Sequence, residues 1–408
     1  MSEPERKSGH VDRQRVLVRH TAIVPDDAKL VRYEKTPELG PRLLFFSGGS
    51  ALKRVSKNLI DYTHNSIHII TPFDDGGSSA MIRNAFVMLS IGDLRNRLMA
   101  LADQTVKGNP EIYRLFSYRL HQEGRPEALK HKLGHIAAGW DSLIDKVSVP
   151  MKDIICNHLQ SFMELMPEKF DLRGANIGNL ILTAGYLNNR RNIGAVLFLF
   201  SRLVESRGIV KPVLAQDLHL AAELSNGLII AGQHRITKGE QICKAGVPIR
   251  KIFITSSREV PAAIHPAADP DVTALIGKAE LICYPVGSFY TSVMANLLPT
   301  GVGEAIAGNI CPKVFVPNTL FDGEQFGMSL GEAVETIIGY LAADAPGREP
   351  TDFLNLLIID SQIRYPFDLE MERIRALGID ILDVRLATPE SYPYIDPRCL
   401  CDVLLSLT

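Results

Sequence analysis

Six consecutive polar and small residues follow a short run of β-branched residues and precede a helical pattern. Such a stretch places its polar groups at the carboxyl end of a sheet, where α/β proteins bind ligands. Carboxylates can ligate a metal ion or move a proton, glycines allow close approach of a ligand, and a helix amino end attracts phosphate. A capped turn with two solvated acids is the alternative. The residues are Asp74, Asp75, Gly76, Gly77, Ser78 and Ser79.

A glycine turn lies upstream, at the end of a predicted core strand over residues 41–47. Gly48, Gly49 and Ser50 separate this strand from a helical stripe of apolar residues, and a turn at such a junction is placed to hold phosphate. Lys53, in the first helical turn, is within reach of the same phosphate, although a solvent-exposed lysine is the alternative. The turn matches neither Gly-x-Gly-x-x-Gly nor a Walker A loop.

A third polar group lies at the start of the next predicted helix, for which Asp93 is the expected N-cap. Arg95 and Asn96 then lie near the amino end of that helix. A guanidinium group matches phosphate or carboxylate with two parallel hydrogen bonds, so Arg95 is a candidate for ligand binding. The alternative is that Arg95 forms a structural ion pair with Asp93 or Asp103.

Two later junctions complete the set of candidate binding residues. Asn176 and Asn179 lie at a glycine-rich helix start, where they can hydrogen-bond a ligand or cap the helix. The loop after the predicted strand at 281–285 offers amides and hydroxyls that suit a diphosphate or a sugar, and another strand ends in Asn318. The loop positions predicted to bind ligand are Gly287, Ser288, Tyr290, Thr291 and Ser292.

The elements that position these residues alternate between strands and helices. This alternation predicts an α/β fold with a largely parallel sheet covered by helices on both faces. Residues 110–170 have a helical pattern that indicates a cap beside the sheet, with Trp140 expected in its core. Residues 218–232 predict a β-hairpin, because Asn226-Gly227 is a typical hairpin turn.

The chain divides into three segments on this pattern. Residues 1–40 are polar and interrupted by prolines, so they are interpreted as an N-terminal extension. Residues 41–345 form the predicted core, into which the cap is inserted. Residues 346–408 are an α/β segment that completes the sheet.

Composition limits the function classes. The chain has 408 residues, 46% of them hydrophobic, and a formal net charge of -2, which gives no reason to expect nucleic acid or a membrane surface as partner. The six cysteines show no zinc-type spacing. Because the amino terminus is charged and lacks an apolar core, no signal peptide is expected, and the predicted location is the cytoplasm.

The order of several motifs resembles a known family. Asp74-Asp75-Gly76-Gly77-Ser78-Ser79, then Gly92-Asp93-Leu94-Arg95-Asn96, then Gly178-Asn179-Leu180 and Gly287-Ser288-Phe289-Tyr290-Thr291-Ser292 are similar to motifs of the CofD-like superfamily. The resemblance covers about residues 43–341. It is nearest to the gluconeogenesis-factor (YvcK-like) branch.

This resemblance implies a Rossmann-like three-layer α/β/α fold, a nucleotide-diphosphate ligand and a homodimer. The YvcK-like branch is known as a regulator of central carbon metabolism that binds UDP-sugars. The other branch, 2-phospho-L-lactate transferase, uses magnesium to move a phospholactyl group from a guanosine diphosphate carrier to an alcohol. Neither NAD nor a flavin cofactor is firmly implied.

Three departures from the family pattern indicate a divergent subgroup. Ala51 stands where the first loop of the family usually has its last glycine, and Pro285-Val286 stands where the family has the Gly-Pro of its Gly-Pro-Gly-Ser pattern. The histidine that commonly precedes Gly-Asn-Leu is absent from residues 174–177.

Two hypotheses follow, and they leave enzyme status open. In the first, the protein is a regulator in which the two glycine loops hold a diphosphate or sugar and Asp74 or Asp75 meets a ribose or a metal. In the second, it is a transferase in which one aspartate ligates Mg²⁺, the other orients an acceptor hydroxyl, and Arg95 stabilises the transferring group.

Overall fold

The computed structural model describes residues 21–103, 108–238 and 246–408. Seven strands form one sheet in which every neighbouring pair is parallel, and three strands form a small antiparallel sheet. The strands are β1 (Leu43–Ser47), β2 (Ile67–Ile70), β3 (Ile209–Pro212), β4 (His219–Leu224), β5 (Ile229–Ala231), β6 (Ile249–Thr255), β7 (Leu281–Tyr284), β8 (Lys313–Phe315), β9 (Leu356–Ile359) and β10 (Asp380–Asp383).

The large sheet has the order β10-β9-β8-β7-β1-β2-β3, with β1 near its centre. All five residues of β1 are buried, as expected for a parallel sheet covered on both faces. Leu44 and Phe46 pack into the hydrophobic cluster on one face of the sheet, and Leu43 and Phe45 pack into the cluster on the other face. The predicted α/β fold with a largely parallel sheet is therefore confirmed.

Helices cover both faces of this sheet. The helices α1, α2 and α16 contribute to the cluster behind Leu43, and α11 to α13 contribute to the cluster behind Leu44. Within the described ranges, no helix is both long and apolar enough to cross a membrane. The helices are α1 (Asp27–Lys35), α2 (Lys53–Leu59), α3 (Gly77–Phe86), α4 (Gly92–Ala100), α5 (Pro110–Ser117), α6 (Pro126–Ala137), α7 (Val149–Leu165), α8 (Ile177–Asn188), α9 (Ile193–Leu203), α10 (Gln233–Thr237), α11 (Pro270–Ile276), α12 (Val302–Ala307), α13 (Leu330–Asp344), α14 (Pro350–Phe353), α15 (Met371–Ala376) and α16 (Pro397–Ser406).

A helical unit lies beside the sheet. The helices α5, α6 and α7 fall inside the cap predicted for residues 110–170, and α8 and α9 share their hydrophobic cluster. The expectation that Trp140 belongs to the core of the cap is wrong, because 77% of this residue is exposed. Trp140 lies beyond the end of α6 and does not belong to its buried face, and its ring contacts His135 with the centroids 5.9 Å apart.

The predicted hairpin is formed by β4 and β5, which pair antiparallel. β6 pairs with the other edge of β4, so this strand belongs to the small sheet and not to the large one. Arg83 of α3 ties the two sheets together. One terminal nitrogen donates to the carbonyl of Phe73 at 2.9 Å, and the other donates to the carbonyl of Leu218 and to the Asp217 carboxylate, both at 2.7 Å.

The two ends of the described chain lie against each other. The backbone N–H of Asp26 donates to the Ser406 hydroxyl at 2.8 Å, and the Lys29 ammonium donates to the carbonyl oxygens of Ser406 and Thr408. The helix α1 therefore packs on α16, although it lies in the segment interpreted as an extension. Residues 1–20 lie outside the described ranges.

A fully buried histidine in β2 makes the stability of the fold dependent on pH. His68 stacks on Phe45 with ring centroids 5.2 Å apart, and its Nε2 lies 3.1 Å from the Ser66 hydroxyl. Burial, with a smaller contribution from Arg97, holds the pKa of His68 well below its usual value of 6.5. The histidine therefore stays neutral in the folded protein, while the unfolded chain takes up a proton below about pH 6.5.

We predict that this difference destabilises the protein as the pH falls. At about pH 5 the free energy of unfolding should be lower by about 2 kcal/mol than at neutral pH through this residue alone. The His68→Leu variant should lack this component, whereas His265→Leu, which alters an exposed histidine, should keep it. Urea denaturation at the two pH values measures the effect, and an equal acid loss in all three proteins would contradict it.

Candidate functional site

The candidate site lies where the strand order of the large sheet reverses. From β1 the chain proceeds through β2 to β3 on one side, whereas β7, β8, β9 and β10 extend on the other side. The carboxyl ends of β1 and β7 therefore border a crevice, which is where ligands bind in open α/β sheets. The turn at 48–51 follows β1 and the loop at 285–288 follows β7, so two of the predicted binding loops meet at this point.

The two glycines of the first turn are required by neighbouring side chains. A Cβ atom at Gly48 would lie 2.5 Å from the Ser292 hydroxyl oxygen, and one at Gly49 would overlap the Asp93 carboxylate. The side chains of Ser292 and Asp93 therefore leave no room for a Cβ atom at either glycine. Ser50 and Ala51 are exposed to solvent and line a larger cavity.

Arg97 holds this turn in place and was missed by the sequence analysis. It is fully buried, and its guanidinium donates to the Gly48 carbonyl at 2.9 Å and to the Ser47 hydroxyl at 3.2 Å. A third, short hydrogen bond joins it to the Ser56 hydroxyl. The sequence contained one sign of this role. Arg97 lies three residues after Leu94, on the apolar face of its helix, and a charged residue on such a face needs buried hydrogen-bond partners.

The prediction that Asp93 caps its helix is wrong. The helix α4 begins at Gly92, and Ile91 occupies the N-cap without a side-chain hydrogen bond. The Asp93 side chain instead lies against Gly49, whose N–H helps to stabilise its charged form. Burial, with the negative charge of Asp74 as the second cause, raises the pKa of Asp93 from 3.8 to about 7. The site therefore contains two carboxylates close enough to repel each other.

The two neighbouring aspartates, Asp74 and Asp75, have different surroundings. Asp74 accepts the N–H of Gly76 at 3.1 Å and lines a small cavity. Asp75 points to the small sheet, where it accepts the N–H of His234 at 2.6 Å and lies 3.7 Å from a terminal nitrogen of Arg258. The structure thus brings Asp74 together with Asp93, and it does not place both members of the Asp74–Asp75 pair in one cavity.

The small cavity has a volume of about 170 Å³ and is strongly polar. Arg95 lies in its wall and donates from Nε to the Asn179 side-chain oxygen at 3.1 Å. The Asn179 amide and an Arg119 terminal nitrogen each donate to the Ser78 hydroxyl at 3.3 Å. The cavity is lined by Asp74, Gly76, Gly77, Ser78, Ser79, Gly92, Arg95, Asn96, Arg119 and Asn179.

Two arginines give this cavity its positive charge. Burial and the nearby Arg119 cation lower the pKa of Arg95 to about 10. Arg119 was missed because it lies beyond α5 and reaches the cavity only through a bridge that pairs it with Asn176. Since guanidinium groups bind phosphate well, the arrangement can accept a phosphate-sized anion.

Asn176 acts as a helix cap. Its side-chain oxygen accepts the N–H of Asn179 at 3.0 Å, and its amide donates to the Tyr118 carbonyl at 3.1 Å. The side chain is fully buried, so the capping alternative describes its position. The helix α3, in contrast, has Gly76 at its N-cap, and neither Ser78 nor Ser79 caps it.

The loop after β7 differs from the expectation that its amides are free for a diphosphate. The N–H of Phe289 donates to Asp322 at 2.8 Å, and the N–H groups of Tyr290 and Thr291 donate to Glu324 at 2.9 and 2.8 Å. The Thr291 hydroxyl also donates to Glu324 at 2.6 Å. The amides that were predicted to bind an anionic ligand therefore donate to carboxylates of the chain itself.

Asp322 and Glu324 form an acidic pair, and burial changes the pKa of Glu324. Glu324 is almost fully buried, and burial together with the Asp322 charge raises the pKa of Glu324 above its usual value. The side chains of Tyr290 and Thr291 are buried as well. Asn318 exchanges hydrogen bonds with the backbone of Gly287, accepting its N–H at 2.9 Å and donating to its carbonyl at 2.7 Å.

A larger cavity of about 730 Å³ lies on the other side of the turn at 48–51. Gly287, Ser288 and Asn318 line it together with Ser50, so part of the predicted set does converge here. Lys53 is exposed and does not line either cavity, whereas its neighbour Arg54 lines the larger one. The other lining residues are Ala51, Val55, Val286, Thr319, Leu320, Phe321, Asp322, Tyr394, Ile395 and Pro397.

Asp74 and Asp93 are the carboxylates of this site that could hold a magnesium ion. Within the described ranges, no group of three or more histidine, cysteine, aspartate or glutamate residues converges on one point. Mg²⁺, however, commonly binds one or two carboxylates and completes its shell with water and substrate phosphate. The mutually repelling Asp74 and Asp93 fit that requirement.

Comparison with known proteins places the chain among proteins with this architecture. The sequence profile described as 2-phospho-L-lactate transferase CofD matches residues 43–386. The chain belongs to the CofD family. This assignment agrees with the resemblance of the aspartate-glycine and Gly-Asn-Leu motifs.

Relatives of this CofD-family protein carry the name gluconeogenesis factor. One from Listeria monocytogenes is 27% identical over 348 residues, covering 85% of this chain and 87% of the relative. One from Bacillus subtilis is 25% identical over 357 residues, covering 85% and 92%. A crystal structure of a UPF0052-family protein from Bacillus halodurans superposes with a TM-score of 0.64 at 21% identity, covering 90% and 99%, and supports the fold.

We predict that the two arginines of α4 contribute differently to stability. The Arg97→Met variant should lose about 3–5 kcal/mol, because three buried oxygen atoms lose a charged hydrogen-bond donor. The matched Arg95→Met variant should lose about 1 kcal/mol or less, since Arg95 has one hydrogen bond and a neighbouring cation. Denaturant titration compares the two, and equal losses would show that Arg97 does not support the turn.

Proposed function

We propose that this CofD-family protein binds a nucleoside diphosphate or a nucleotide sugar in the crevice between β1 and β7. The supporting observation is a pair of cavities at the candidate site, a small one with two arginines and a larger, partly apolar one that Ser50 and Ala51 of the turn line. A nucleotide sugar has a matching division, because its charged diphosphate lies between a nucleoside and a sugar. The larger cavity has ample volume for one end of such a ligand.

The biological role that we propose is regulatory. Relatives of similar length carry the name gluconeogenesis factor, and the ligand cleft of a regulator needs no nucleophile or general base. We infer that binding of a nucleotide ligand signals the state of carbon metabolism. The arginines of the small cavity would then bind the terminal phosphate or the group attached to it.

A transferase is the second candidate, and the pair of carboxylates favours it. Asp74 and Asp93 would hold Mg²⁺, which supplies charge neutralisation on phosphoryl oxygen atoms when it is bound. Arg95 and Arg119 would bind the oxygen atoms of the transferring group. Asp75 has no part in this proposal, because its carboxylate is engaged by the small sheet.

Calorimetric titration with UDP, GDP and UDP-glucose, with and without Mg²⁺, tests the proposal. We expect at least one ligand to bind, and Arg95→Met should weaken its binding about 10-fold or more because a charge-assisted contact is lost. Arg114→Met, which alters an exposed arginine of α5, should bind as the wild type does. A folded protein that binds none of the three ligands would refute the proposed function.

The same titrations distinguish the two candidates. Asp74→Asn should leave nucleotide affinity nearly unchanged if the protein is a regulator that binds without a metal. It should abolish any Mg²⁺-dependent gain in affinity if the carboxylates hold the ion. A ligand that binds only with Mg²⁺, and only when Asp74 is present, would favour the transferase.

A further inference from the structure

The larger cavity has a wall that lies outside the part of the chain matched by the family profile. The profile ends at residue 386, whereas Tyr394, Ile395 and Pro397 line the cavity. These three residues belong to the segment that leads into α16, which we call the C-terminal wall (residues 387–397). Phe321 and two residues of the turn, Ser50 and Ala51, line the same cavity.

The C-terminal wall is held firmly at both ends. At its start, the N–H groups of Leu386 and Ala387 donate to the Asp360 carboxylate at 2.8 and 3.2 Å. Near its end, the N–H of Asp396 donates to the Leu386 carbonyl at 2.7 Å, which closes the segment into a loop. The Asp396 carboxylate then accepts two N–H groups at the start of α16. The wall therefore has a defined position.

α16 attaches the wall to the helix that begins at the glycine turn. Leu400 and Leu404 share a hydrophobic cluster with Leu52 and Val55, and the Cys401 thiol contacts the Val55 carbonyl at 3.6 Å. Because α2 follows the turn at 48–51 directly, the wall and the turn are fixed relative to one another. A ligand that reaches the turn on this side also meets the wall.

Two exposed aromatic side chains lie in this cavity. Phe321 is 63% exposed and Tyr394 is 61% exposed, although both line a concave surface. They come from different parts of the chain, one after β8 and the other from the C-terminal wall. Aromatic faces of this kind stack on planar rings, and such stacking tolerates any base because every base has a flat face.

The polar part of the cavity suits a phosphate. Arg54, Ser50 and Ser288 line this cavity together with Asp322, whose carboxylate accepts the N–H of Phe289 at 2.8 Å. In the described part of the chain no carboxylate forms an ion pair with Arg54. An arginine without a protein partner beside two hydroxyls can receive an anionic oxygen. The cavity thus combines stacking faces with a phosphate contact, as a nucleotide requires.

We propose that Phe321 and Tyr394 form the base-binding subsite of a nucleoside diphosphate, with Arg54 binding the adjacent phosphate. This inference rests on the proposed function and states which cavity receives each end of the ligand. The base lies in the larger cavity against the C-terminal wall. The group beyond the diphosphate extends toward Arg95 and Arg119 in the small cavity.

Calorimetry with UDP, GDP and inorganic pyrophosphate tests the assignment. Tyr394→Ala and Phe321→Ala should each raise the Kd for the nucleotide that the wild type binds by about 5- to 100-fold, and leave the Kd for pyrophosphate unchanged. Arg54→Gln should weaken both ligands by about 10-fold. The matched controls are Phe198→Ala, an exposed aromatic residue of α9 that does not line the cavity, and Arg114→Gln, an exposed arginine of α5.

The outcomes separate the two proposals. A wild-type protein that binds no nucleotide overturns the proposed function itself. If the wild type binds nucleotide and the Tyr394→Ala and Phe321→Ala variants bind it no more weakly than Phe198→Ala does, the base subsite is overturned and the proposed function stands. Weaker pyrophosphate binding by the two aromatic variants would also overturn the base subsite, because pyrophosphate has no ring that could stack on the lost side chain. Far-ultraviolet circular dichroism confirms that each variant is folded.

Discussion

The peptide unit between Gly48 and Gly49 is the point on which the site depends. Arg97 donates to its carbonyl, and its N–H stabilises the charged form of Asp93. Both side chains come from α4, so one helix fixes the orientation of this peptide plane from its two sides. An arginine buried at this depth requires such partners, because an uncompensated charge there would cost several kcal/mol. The position of the glycine turn thus follows from the packing of α4 against the sheet.

This constraint explains which groups remain available to a ligand. The Gly49 N–H already faces a carboxylate, and three amides after β7 face Asp322 and Glu324. The chain satisfies much of the anion-binding capacity of its loops with its own acids. The side chains left to receive an external anion are chiefly arginines, with Arg54 at the larger cavity and Arg95 and Arg119 at the small one. The proposed nucleotide site therefore differs from a glycine-rich loop that binds phosphate through backbone amides.

Sequence reasoning identified β1, β2, β7 and β8, because buried parallel strands are short apolar runs, but it did not identify β3. It also selected Asp74, Arg95 and Asn179 as candidate binding residues, and these three line one cavity in the structure. It missed Arg119 and the C-terminal wall, because both reach the site through tertiary contacts over long sequence separations. It assigned the amides after β7 to a ligand, because nothing in a local pattern shows that Glu324 folds back onto them. Local patterns indicate which groups are polar, whereas only the fold shows which are already satisfied.

The separate surroundings of Asp74 and Asp75 connect the region of the small sheet to the small cavity. Neighbouring Cα atoms are held about 3.8 Å apart by a rigid peptide unit. Asp75 accepts a hydrogen bond from His234 of α10 and forms an ion pair with Arg258, while Asp74 contributes charge to the small cavity. Because one peptide unit joins the two residues, the contacts of Asp75 with His234 and Arg258 also restrict where the Asp74 backbone can lie. The charge that Asp74 contributes to the small cavity is thus positioned partly by residues that do not line this cavity.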